Sequence, residues 1–157
     1  MLRTDPDVQI MHPWFIDYRL LDAPVRDLVW AMNHTGMVET LCSCGGHTES
    51  AEWVEDGVFA AYVQYKQVKP RAWATVLDQI MSQTSTDAHY RIALGGRGDR
   101  WLAVVVDPGP ELDMRRNIDE GLSKVASTVS RFLCKDHLAV SASARAAQPI
   151  QHVATCR

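Results

Sequence analysis

Thr40-Leu41-Cys42-Ser43-Cys44-Gly45-Gly46-His47 is a short extended run that ends in two glycines and carries two thiols and an imidazole within six residues. Side chains alternate along a strand, so Cys42 and Cys44 are expected on one face and Ser43 on the other. Gly45 and Gly46 permit positive φ and leave their N–H groups uncovered, which turns His47 back toward the thiols and makes a small nest able to accept an anion. A second extended run, Val58 to Tyr65, follows after a polar loop, Thr48 to Gly57, relieved only by Trp53 and Val54. That spacing suits an antiparallel pair with an enlarged loop.

The chain on either side extends this pattern. Asp22 is placed to cap a helix with Pro24 in its first turn, and Val25, Leu28, Val29 and Met32 recur at i, i+3, i+4 and i+7, with Gly36 as the stop. Upstream, Trp14 to Leu21 is aromatic and β-branched enough to be a first strand. Downstream, Lys69-Pro70 opens a helix carrying Trp73, Val76, Leu77 and Ile80, which ends over Ser82 to Asp87. His89 to Leu94, the turn Gly95-Gly96-Arg97-Gly98-Asp99-Arg100 and Trp101 to Val106 form a second hairpin. Asp107-Pro108-Gly109-Pro110 breaks it, and Asn117 with Glu120 resembles a capping box before Leu122, Val125, Val129, Phe132 and Leu133. The order is β-α-β-β-α-β-β-α. Hairpins separated by helices predict an α+β fold, a mainly antiparallel sheet with helices packed largely on one face. Residues 1–138 form one such domain, and residues 139–157, rich in Ala, Ser, Arg and Gln, read as a C-terminal tail with little to bury.

The 157 residues, 46% hydrophobic, suffice for one core, and a formal charge of −3 supplies no polybasic run for nucleic acid. A local basic patch at Arg97 and Arg100 remains able to contact an anion or partner. No apolar run reaches the roughly 18 residues of a membrane span, and the polar N-terminus lacks the apolar core of a signal peptide, which points to a cytoplasmic protein. Four cysteines, Cys42, Cys44, Cys134 and Cys156, are thin for a disulfide scaffold, and reduced thiols are expected. The Arg-Gly-Asp tripeptide within the glycine turn reads as coincidence, and the turn lacks the Lys-Ser/Thr and following helix of a phosphate loop.

The run Leu28, Asn33, Gly36, Thr40 and Ser43-Cys44-Gly45-Gly46-His47, followed by Ala61-Tyr62-Val63, resembles a group of small, mostly uncharacterised bacterial and phage-borne proteins. Their pattern is a helix ending in Leu-Asn-x-x-Gly, then Thr, then Ser-Cys-x-Gly-His, then an aromatic strand. The likeness covers Val25 to Tyr65; Met32 stands where leucine is usual, and Cys42 lies outside the pattern. A fainter similarity is to the tRNA methyltransferase of wybutosine synthesis, whose Ser-Ser-Cys-Ser-Gly-Arg run also joins a strand to a turn; here His47 takes the arginine's place. The first resemblance implies that Ser43, Cys44, Gly46 and His47 matter, and implies no particular reaction.

Three readings of these residues stay open. Cys44 and His47 can be nucleophile and base beside Ser43, with the Gly45 and Gly46 amides stabilising a thiolate or receiving an oxyanion. Cys42, Cys44 and His47 can hold a soft metal, zinc above all, with His34 or His89 as a fourth ligand. Or the segment is structural within a binding or regulatory module, carried on a mobile element, whose partner is a protein or, alternatively, nucleic acid. The five tryptophans and Tyr62 and Tyr65 are expected in the core before any stacking surface.

Overall fold

The computed structural model describes residues 16–46, 59–83, 88–136 and 138. Within them the chain forms α1 (Ala23–His34), β1 (Val38–Cys44), β2 (Phe59–Gln67), α2 (Pro70–Gln83), β3 (Arg91–Gly95), β4 (Arg100–Val106) and α3 (Glu111–Ser130). The four strands make one antiparallel sheet in the order β1-β2-β4-β3. Both hairpins and the α+β class are as the sequence predicts.

The strand-to-strand register decides which face meets the helices. Ala61, Val63 and Tyr65 on β2 lie opposite Val104, Leu102 and Arg100 on β4, and all of these except Arg100 are buried. They face Val25, Leu28 and Met32 of α1 and Ile118, Leu122 and Val125 of α3 in one apolar core. Trp73 of α2 reaches the same face, its ring edge-on to Tyr65 with centroids 5.5 Å apart. The three helices therefore share one side of the sheet. The other side carries Tyr62, Gln64, Trp101, Ala103 and Val105, the alternate residues of β2 and β4. Trp101, 38% exposed, lies against Gly95 of β3, where any β-carbon would collide with the indole.

Two expectations are corrected. The strand expected over Trp14 to Leu21 is not one where it is described: Tyr18–Leu20 is a 3-10 turn, while Trp14 and Phe15 lie outside the described residues. Asp17 is the cause, since its carboxylate accepts from the Arg19 amide at 3.1 Å and from the Arg19 guanidinium at 2.8 and 2.9 Å. Such an Asx interaction gives the backbone a local partner in place of a ladder. Second, α3 starts at Glu111, so Asn117 and Glu120 sit inside it and cap nothing. Pro110 is the N-cap residue, with Glu111 and Asp113 in the first turn, where the helix dipole favours acids. The added turns bury Met114 and Ile118. The tail 139–157 and the loop Thr48–Gly57 lie outside the described residues.

Candidate functional site

The helical half of the motif is a hydrogen-bonded joint. Asn33, buried at the end of α1, accepts the Thr40 amide on Oδ1 at 2.9 Å and donates through Nδ2 to Thr40 Oγ1 at 2.7 Å and to Tyr18 Oη at 3.3 Å. Thr35 Oγ1 donates to the Met32 carbonyl at 2.7 Å and accepts the Met37 amide at 3.1 Å. Gly36 makes the reversal with φ of 70°. Asn33, Gly36 and Thr40 thus fix the angle at which β1 leaves α1, and the polar groups they bury are satisfied.

At its far end β1 runs into the Gly45–Gly46 corner. Ser43 pairs with Val63 on the helix side and is buried, whereas Cys42 and Cys44 pair with Gln64 and Tyr62 on the opposite face, as the alternation predicts. A register shift between Thr40 and Cys42 is what sets this phase. Gly46 alone of the two glycines has positive φ, 83°; a β-carbon there would approach Ile118 Cδ1 to 3.1 Å and the Ala60 carbonyl to 3.4 Å.

The corner is clamped by charged side chains distant in sequence. The Gly45 N–H donates to Asp22 Oδ2 at 3.0 Å. Asp22 occupies the N-cap position of α1 but makes no side-chain cap there, because its carboxylate is turned to Gly45. Arg115 of α3 donates through Nη2 to the Gly45 carbonyl and through Nη1 to the Gly46 carbonyl, both at 2.8 Å. Its Nε and Nη2 also donate to Asp119 Oδ1, at 3.0 and 2.7 Å, one helical turn on. The guanidinium fork suits this double acceptance.

Cys44 sits inside this clamp, 4% exposed. Burial pushes its thiol above the ordinary value; the Gly46 N–H directed at the sulfur pulls the other way, the Asp22 carboxylate adds to the rise, and Arg115 opposes it. Burial prevails, and the group is held as a neutral thiol. The Gly45 amide of the expected anion nest is already given to the Asp22 carboxylate and is not left for an oxyanion. Desolvation without an adjacent cation of dominant effect is the reverse of what activates a cysteine.

His47, the expected base and metal ligand, lies outside the described residues. Of the other metal ligands, Cys42 is taken up in a disulfide, which corrects the expectation of reduced thiols for that residue; its Sγ lies 3.1 Å from Gln64 Oε1. Cys44 and Cys134 are free thiols, and Cys156 is outside the described residues. His34 is fully buried, its Nδ1 2.7 Å from the Trp30 carbonyl and its ring stacked on Trp30 at 4.3 Å, while His89 is exposed ahead of β3. Among the described residues no three His, Cys, Asp or Glu side chains gather as a metal site. Arg97 lies in the β3–β4 turn and Arg100 opens β4, where it pairs with Tyr65, away from Cys44, which pairs with Tyr62. They do not join the corner. Tyr65 and Trp73 are core as expected, but Tyr62 and Trp101 belong to the helix-free face.

Sequence reasoning missed Asp22, Arg115 and Asp119 as the clamp. The i,i+4 spacing of Arg115 and Asp119 was visible, but nothing local ties either to residues about seventy positions earlier. Comparison with protein-family models, with curated proteins and with solved structures finds no match to this chain.

Proposed function

We propose that this chain is a small binding or regulatory module that acts by contacting a partner, in the first instance a protein, and that its Ser43–Gly46 segment is framework. The observation that carries this is the Cys44 thiol, buried and held neutral, with the neighbouring Gly45 amide already given to Asp22. A thiol-dependent enzyme asks for an accessible, stabilised thiolate, and a zinc site asks for deprotonated sulfurs; the buried, neutral Cys44 speaks against both. The likeness to phage-borne proteins supports a mobile element as its context. No described helix is long and apolar enough to cross a membrane. Cytoplasmic placement is part of the proposal and brings a corollary, because cytosolic reductants open disulfides: Cys42 is then reduced in the cell.

Iodoacetamide labelling of Cys44 against pH, in a variant with the other three cysteines changed to serine, tests this. The expected thiol reacts slowly and titrates above the roughly 8.5 of a free cysteine. Capture of a partner from the native host is expected to survive Cys44→Ser. A Cys44 that titrates below the free value, or turnover of a defined substrate abolished by Cys44→Ser, would overturn the proposal.

A further inference from the structure

Cys42 begins a row of side chains that crosses the helix-free face of the sheet: it pairs with Gln64 of β2, Gln64 with Trp101 of β4, and Trp101 with Gly95 of β3. The neighbouring row is Cys44, Tyr62, Ala103 and Ala93. Ala103 is 4% exposed, deep for an alanine set between Tyr62 and a second alanine on a face without a described helix. Cys42 is half-buried, and its sulfur is in a disulfide. The chain has four cysteines, and Cys44 and Cys134 are free thiols, so the partner left for Cys42 is Cys156.

The backbone after α3 leads toward that partner. The Cys134 amide donates to the His34 carbonyl at 2.8 Å, which brings the chain back to the C-terminal end of α1. Helix α1 packs on β1, the border strand that carries Cys42, so a segment leaving this point has one border to pass before it reaches the helix-free face. Roughly 18 residues separate Leu138 from Cys156, and extended they span up to about 60 Å, against a radius of gyration of about 14 Å for a domain of this size. The larger aliphatic side chains of that segment are Val140, Ile150 and Val153, too few to hold it down by burial alone. A covalent tie therefore decides where it lies.

We infer that Cys42 and Cys156 form a redox latch, which when closed seats the C-terminal segment, residues 139–157, on the helix-free face of the sheet and when reduced releases it. Closure is thiol–disulfide exchange with a small-molecule disulfide, oxidised glutathione in the first instance. One cysteine gives its proton to water, and its thiolate attacks a glutathione sulfur; the glutathione S–S bond breaks, a mixed disulfide forms and one glutathione thiolate leaves. The second cysteine, deprotonated in turn, attacks the protein sulfur of the mixed disulfide and expels the other glutathione. Two electrons pass from the cysteine sulfurs to glutathione, and the two protons end on its thiols. Two reduced glutathiones run the exchange backward. Cys44 on the same face is too deeply buried to compete, whereas half-buried Cys42 is within reach of a small thiol. In the open state the Cys42 S–H has Gln64 Oε1, 3.1 Å from its sulfur, as acceptor. A reducing cytosol keeps the latch open, and accumulation of glutathione disulfide closes it. The latch stands whether or not the chain binds a partner.

The test takes the full chain through glutathione buffers from fully reduced to fully oxidised, blocks free thiols with iodoacetamide in denaturant, and digests with trypsin without reductant. Expected from the oxidised buffer is peptide 27–66 joined to peptide 146–157, with Cys134 alkylated in peptide 132–135. The joined pair should be absent in Cys42→Ser and Cys156→Ser and kept in Cys44→Ser and Cys134→Ser. Brief trypsin treatment of the folded protein reads the seating: cleavage after Arg145 should be roughly tenfold faster, or more, in the reduced chain and in Cys156→Ser than in the oxidised chain. Circular dichroism checks folding, and if Cys42→Ser fails to fold, Cys156→Ser carries the comparison. The inference is overturned if peptide 146–157 joins peptide 132–135, if its join to 27–66 survives Cys42→Ser, if it forms between two chains in a sample of mixed isotopes, or if no join forms in the oxidised buffer. Equal cleavage after Arg145 in both states would also overturn it, since the segment would then be tethered without lying on the face.

Discussion

Replacing Arg115 by methionine removes the clamp while keeping the apolar stem of the side chain. Arg115 is 27% exposed, and its two bonds to the Gly45 and Gly46 carbonyls are charge-assisted at 2.8 Å. A hydrogen bond from a charged donor is worth about 1.5–3 kcal/mol. The Gly45 carbonyl is in a buried residue and would lose most of that, whereas Gly46 is half-buried and water can replace part of its bond. The Asp119 partner is 51% exposed, so that ion pair adds at most about 0.5 kcal/mol. The expected loss is therefore roughly 2–3 kcal/mol, which for a chain of this size is about 5–10 °C in Tm. Urea denaturation at neutral pH, followed by circular dichroism with a common m-value, measures it. Asp119→Asn, which leaves both carbonyl bonds in place, should cost less than about 1 kcal/mol. If Arg115→Met unfolds at the wild-type midpoint, or if Asp119→Asn costs as much, the corner is not held as described.

Gly46→Ala should cost about 1–2 kcal/mol, because an L-residue is strained at φ of 83° and its β-carbon meets Ile118; a melting temperature equal to wild type would refute this. Gly121→Ala gains about 1 kcal/mol of helix propensity but sets a β-carbon into Val104 and within 3.0 Å of the Tyr90 ring, so overpacking of about 1–3 kcal/mol should win; denaturation showing a more stable variant would reverse that order. Asn33→Leu should lose about 2–3 kcal/mol, since the part-buried Thr40 amide and the Thr40 hydroxyl lose the bonds Asn33 makes to them; a loss under about 0.5 kcal/mol would show that they find others. Burial raises Cys44 above its ordinary 9.0 and Tyr62, Tyr65 and Tyr90 above 10.0. In each case the unfolded chain gives up its proton first, so stability is full below the unfolded values and falls as pH climbs through them toward the folded ones. Midpoints measured from pH 7 to 11 should decline from about 9 upward, with the earliest part of the decline missing in Cys44→Ser.

Much of the fold was legible because its signals are local. The 3.6-residue spacing of Val25, Leu28, Val29 and Met32 and the Gly36 stop place α1 without tertiary information, and the glycine turn between Leu94 and Trp101 places the second hairpin. The segment before α1 misled because Phe15, Ile16 and Tyr18 have strand propensity, while the deciding contact, Asp17 with Arg19, is a side-chain bond that competes with it. The start of α3 misled for a related reason: an Asn-x-x-Glu pair imitates a cap wherever it occurs, and the acids of the true first turn carry no periodic mark. At the site, the facing of Cys42, Ser43 and Cys44 followed from alternation, and the turn of the corner at Gly46 followed from the glycines. The bond from Gly45 to Asp22 did not, since a capping residue at position 22 has every local reason to bind its own helix.

The position of β1 has a bearing on how copies of the molecule can polymerise. Among the described residues β1 and β3 are the two borders of the sheet. A fibre that grows by adding strand to strand needs both borders open, one to receive and one to offer. On β1 the Thr40 amide is already given to Asn33 and the spacing of the ladder slips beside it, so an incoming strand finds a rung missing and the next ones out of step. The five-residue β3 is left as the regular border. Two molecules that meet there consume both regular borders in one contact, so accretion stops at a pair, and the Asn33–Thr40 bond that shapes the joint also serves as a chain terminator against aggregation.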